Sequence, residues 1–149
     1  MTRGIRPRRV ASIAAAAAAV AAIALPGNAI AFDQHFSVIS KNVSDHRTAD
    51  GFAFRIELLN TLNDRNQVGH GHGRCTFQRG HKSRCKVVVH LDGSVGGSGD
   101  LFLKGNIGRG DKTLNVADSR GEFGGGIAGK ARVDSISNRL DLVSFDLTG

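Results

Sequence analysis

The sequence predicts an all-β protein, an eight-stranded antiparallel up-and-down barrel preceded by a cleavable signal peptide. Three observations predict it. Apolar residues alternate with period two through most of the chain after residue 31. Glycine is abundant, with 20 in 149 residues, so helix is disfavoured throughout. Turn residues recur at short intervals with no helical crossover between them, as a meander of neighbouring strands requires.

The first 31 residues stand apart. Arg3, Arg6, Arg8 and Arg9 precede the small-apolar run Val10 to Leu25, interrupted only by Ser12, and Ala29-Ile30-Ala31 offers the small residues that signal peptidase accepts. Cleavage is expected near Ala31, which makes 1–31 a signal peptide and 32–149 the barrel domain, secreted outside the cell. The apolar run is short and mostly alanine, so no stable membrane anchor is expected. Arg8-Arg9 leaves both general and twin-arginine export open. After cleavage, 16 basic residues face 13 acidic ones, an excess of +3, so +4 of the formal charge of +7 sits in the leader. That small excess argues against a nucleic-acid partner, which needs a basic stripe that persists in the folded domain.

Strands are expected at about 36–41, 52–59, 67–78, 83–91, 99–105, 112–117, 126–134 and 139–147. In the second, Phe52, Phe54, Ile56 and Leu58 share one face; in the fourth, Cys85, Val87, Val89 and Leu91 do. The connections carry turn chemistry at Ser44-Asp45, Asn63-Asp64, Asp92-Gly93, Gly108 to Asp111 and Ser137-Asn138. Glycines 69, 71 and 73 alternate on the cysteine-bearing face of the third strand, where missing side chains allow sharp coiling. No proline follows Gly27, in keeping with a barrel that has no edge strand.

Export places Cys75 and Cys85 in an oxidising compartment, and the segment between them reads as a hairpin centred on Gly80. If the two cysteines face each other, paired residue numbers sum to 160 and a disulfide can close. Two buried thiols are the alternative. The same register sets His70 opposite His90, His72 opposite Val88, and Arg74 opposite Lys86. His70, His72 and His90 then share a face that could be solvated, line a cavity, or offer metal ligands. Arg74 and Lys86 beside them oppose a bound cation, so no metal and no cofactor are expected.

Several stretches from Ser44 onward carry a family likeness. Gly51-Phe52-Ala53-Phe54 through Leu58, Val68-Gly69 to Cys75, and Gly99-Asp100-Leu101-Phe102-Leu103-Lys104-Gly105 occur in order. Leu114 to Val116 follow, then Gly121, Phe123, Ala128 and Gly129. In this the chain resembles the allene oxide cyclase barrel superfamily, especially its small secreted bacterial members, with plant dirigent proteins as more distant relatives. It departs where Ala117-Asp118-Ser119-Arg120-Gly121 stands in place of the family's Gly-Gly-Thr-Gly turn. The resemblance implies a barrel, often a homotrimer, whose cavity holds a hydrophobic small molecule and guides cyclisation, isomerisation or stereoselective coupling of a reactive intermediate.

The residues carried into that reading are Glu57 and Arg55 as catalytic candidates. They would act if their face lined the cavity, where a desolvated carboxylate suits proton transfer; an outward ion pair between them is the plainer alternative. Phe52, Phe54, Phe102, Phe123, His70, His72 and His90 are the binding candidates. Ser119 and Ser144 have no histidine and acid at triad spacing. Whether the barrel is an isomerase-like enzyme acting by confinement or a non-catalytic carrier or interaction module is open at this level.

Overall fold

The computed structural model describes residues 33–60 and 66–149. The leader, its cleavage point at Ala31 and the Asn63-Asp64 turn lie outside the described residues. The strands are β1 (Asp33–Arg47), β2 (Gly51–Leu59), β3 (Gln67–Gln78), β4 (Lys82–Asp92), β5 (Ser98–Gly108), β6 (Asp111–Gly121), β7 (Ala128–Ser135) and β8 (Leu140–Thr148). Each is antiparallel to the next, and β1 closes on β8 with Phe36 opposite Phe145 and Val38 opposite Val143, so the sheet is a closed barrel in chain order. Closure satisfies the backbone groups that an edge would leave open. Among the described residues no helix is long and apolar enough to cross a membrane.

The β3–β4 register is the one expected from the cysteines. Cys75 faces Cys85 across a Cα–Cα distance of 4.0 Å, His70 faces His90, and Arg74 faces Lys86. The pair is disulfide-bonded.

One turn expected from residue type, and the stretch that stands where the resembled family has a turn, are strand instead. Ser44-Asp45 lies inside β1, because an extra residue at Val43 makes a bulge and lets pairing with β2 continue to Arg47 opposite Phe52. The reversal comes later, where Thr48 N–H and its hydroxyl both donate to Gly51 C=O at 2.8 and 3.2 Å. Likewise Ala117 to Gly121 belongs to β6: a bulge opposite Phe102 and Leu103 carries the pairing on to Gly121 opposite Gly99. A polar run can thus remain extended wherever a partner strand supplies the ladder.

One end of the barrel is packed solid. Val38, Leu58, Leu91, Leu101, Phe145 and Leu147 are almost wholly buried there, and Phe36 stacks on Phe145 with ring centroids 4.9 Å apart. Phe123 and Ile127, from the connection between β6 and β7, join this core. Burying such side chains is worth about 1.5–3 kcal/mol each, which makes this end the anchor of the fold.

Candidate functional site

The other end is open. Phe52, Phe54, Ile56, Val87, Leu103 and Val133 line an interior cavity of about 310 Å³, with the Cys75–Cys85 bridge in its wall. Such a space is at the lower end for small-molecule sites. On β3, Gly69, Gly71 and Gly73 share the buried face with Cys75. The Phe54 ring packs where a Gly73 side chain would stand, so β3 is drawn in and the aromatic is laid flat along the wall.

The polar groups of this cavity share one character. Asn42, Asp45 and Asp141 line it together with Ser40, Ser83 and Ser135, and among the described residues no lysine, arginine or histidine does. Asn42 Oδ1 is buried with no hydrogen-bond donor among the described residues. A buried acceptor without a partner is costly, and the side chain sits on the wall of a space large enough to admit a donor. Asp141 is half-buried and pairs with Ser40 across β1 and with Ser135 across β7. The arrangement can accept hydrogen bonds from a neutral or cationic guest and would repel an anionic one.

The residues singled out in the sequence fall on both sides of the wall. Phe52 and Phe54 line the cavity. Phe123 is buried in the core of the closed end. Arg55, Glu57, His70, His72 and Phe102 line a separate groove on the outside of β2 to β5, and His90 belongs to the same outer face by its alternation with Val89 and Leu91. The reason is parity: once Phe52, Phe54, Ile56 and Leu58 face in, Arg55 and Glu57 must face out. Among the described residues neither Arg55 nor Glu57 has an ion-pair partner within 4.0 Å. His70 and His90 pack ring to ring at 5.0 Å, and His90 Nδ1 lies 2.8 Å from Asp100 Oδ1. His70, His72 and His90 do not converge as a ligand set; the one such group among the described residues is Asp33, His35 and Asp146, all exposed.

Sequence reasoning did not place Asn42, Asp45 or Asp141 at the site. Parity with Phe36 and Val38 would have pointed Asn42 inward, and parity with Val143 and Phe145 would have done so for Asp141. Asp45 was hidden by the bulge, which shifts the alternation by one residue.

No family model and no curated protein matches the sequence. Solved structures do match the fold. "Pyocyanin demethylase" superposes with a TM-score of 0.56 at 16% identity, covering 76% of this chain and 99% of that one. The pterocarpan synthase dirigent protein GePTS1 gives a TM-score of 0.59 at 13% identity over 79% of this chain and 87% of that one. A second pterocarpan synthase dirigent protein, PsPTS1, gives 0.56 at 12% identity over 78% and 94%. The likeness is one of fold. At these identities it describes the path of the backbone and leaves the chemistry to the side chains of this chain.

Proposed function

We propose that the chain is a secreted barrel of the allene oxide cyclase-like type that takes a hydrophobic small molecule into its open end and steers its cyclisation, isomerisation or coupling. The observation that carries this reading is the apolar cavity, open at one end of an otherwise packed barrel and edged by hydrogen-bond acceptors. Fold neighbours named for pterocarpan synthesis and pyocyanin demethylation support it by showing barrels of this shape in proteins named for small molecules. The disulfide is compatible with an extracellular location.

In this reading Phe52 and Phe54 hold the apolar body of the guest, while Asn42, Asp45 and Asp141 orient its donor groups. Cyclisation and isomerisation need no co-reactant, so confinement near the reactive geometry and a placed carboxylate are sufficient equipment. Coupling would require a reactive intermediate made elsewhere. Arg55 and Glu57, outside the wall, receive no part in an interior reaction. The second reading, a carrier without turnover, rests on the same cavity and differs only in what happens to the guest.

The test is to incubate the mature chain with culture extract of its host and identify any retained compound by native mass spectrometry, alongside Val133→Phe, which adds bulk to the cavity wall. Retention by the wild type and loss in the variant supports the reading. A wild type that retains nothing, or a variant that retains as much, defeats it. Conversion of the retained compound separates enzyme from carrier.

A further inference from the structure

The outer groove over β2 to β5 holds an arrangement that folding alone does not favour. Arg74, Lys86 and Lys104 stand directly beside one another on three adjacent strands, Arg74 opposite Lys86 and Lys86 opposite Lys104. Like charges in directly opposed positions repel. Among the described residues none of the three forms an ion pair, whereas Lys82 reaches Asp111 at 2.6 Å and Arg132 reaches Asp134 at 3.0 Å elsewhere on the barrel. Arg55 and His72, opposed on the neighbouring row, extend the basic area. Two acids, Asp45 and Glu57, line the same groove, against four arginines and lysines.

We infer that this groove binds an acidic polysaccharide, with Arg74, Lys86 and Lys104 each meeting one carboxylate of a chain that crosses the strands. Three features favour this partner. Neighbouring strands set the backbones that carry the three cations about 5 Å apart, a spacing of the order of one sugar, and a polyuronate carries one carboxylate per sugar. The groove is concave and outside the barrel, so a long chain can pass through it where the interior admits only a small guest. Single-stranded nucleic acid would want an open aromatic platform, but Phe102 is covered by the Arg120 guanidinium at 5.0 Å. A bilayer surface would want a protruding apolar face, whereas here Val88 and Phe102 lie in a groove beside the row of cations. The groove shares Asp45 and Phe54 with the cavity, but Arg74, Lys86 and Lys104 belong to the groove alone, and the inference does not depend on what the cavity does.

The experiment measures retention of the mature chain on immobilised polygalacturonate at low salt, for three proteins. The wild type should bind. Arg74→Gln/Lys86→Gln/Lys104→Gln should bind at least about tenfold more weakly, while Arg79→Gln/Arg109→Gln/Lys112→Gln, with the same net charge, should stay within about twofold of wild type. Circular dichroism verifies that each variant is folded, and the single variant Lys86→Gln, expected to lose about threefold, serves if the triple one is not. Equal losses in both triple variants would show that only net charge matters, and would overturn the inference. So would tighter binding to a DNA duplex or to phosphatidylserine vesicles than to polygalacturonate at the same salt, or association of the chain with itself through this face, seen as a mass that falls to the monomer in the first triple variant.

Discussion

The ring of Phe54 occupies the space that a side chain on Gly73 would need, directly across the β2–β3 pairing. This one relationship sets both the curvature of the wall and the presence of an aromatic surface inside the cavity. Gly73→Ala should therefore displace the ring into the cavity, cost about 1–3 kcal/mol in urea unfolding, and weaken uptake of a neutral dye such as Nile red. Unchanged stability together with unchanged uptake would show that the ring has room to move.

The Cys75–Cys85 bridge closes a short hairpin, with a sequence separation of 10. Denatured, unreduced protein should titrate no thiols. Reduction should lower the unfolding free energy by about 3 kcal/mol through the larger entropy of the unlinked chain.

Asn42 Oδ1 is buried on the cavity wall with no donor among the described residues. Replacing the side chain by an apolar one of similar size removes that cost, so Asn42→Leu should leave the free protein equally or more stable. A guest that donates a hydrogen bond there should bind about 1–3 kcal/mol less tightly. Calorimetry on both proteins measures the two effects separately.

In the turn after β4, the hydroxyl of Ser94 and then its backbone N–H, 2.8 Å from Oδ1, hold the Asp92 carboxyl below its ordinary value of 3.8. A carboxyl lowered in the folded state adds stability above its unfolded value, and loses it as pH falls through the folded value. Asp92 should thus titrate below its position in Ser94→Ala when followed by carboxyl-carbon NMR. The stability of Asp92→Asn and wild type should converge in acid. Because the group is fully exposed, the effect on stability is small.

Much of this architecture is legible in residue order. Period-two alternation marks eight strands, Cys75 and Cys85 fix the β3–β4 register, and parity sets Val87, Val89 and Leu91 on one face with Cys85. The candidate site was legible in part. Phe52 and Phe54 were found by the same parity that, followed one residue further, places Arg55 and Glu57 outside.

The sequence by itself determined which residues share a face, because alternation is a local property of an extended chain. Only the tertiary structure decided which face is the inside, where bulges at Val43 and Ala117 reset the count, and that one end is filled while the other is open. Those depend on how eight strands share one closed circumference. Cross-strand neighbours such as Lys86 and Lys104 meet only when the intervening loops have brought distant positions together.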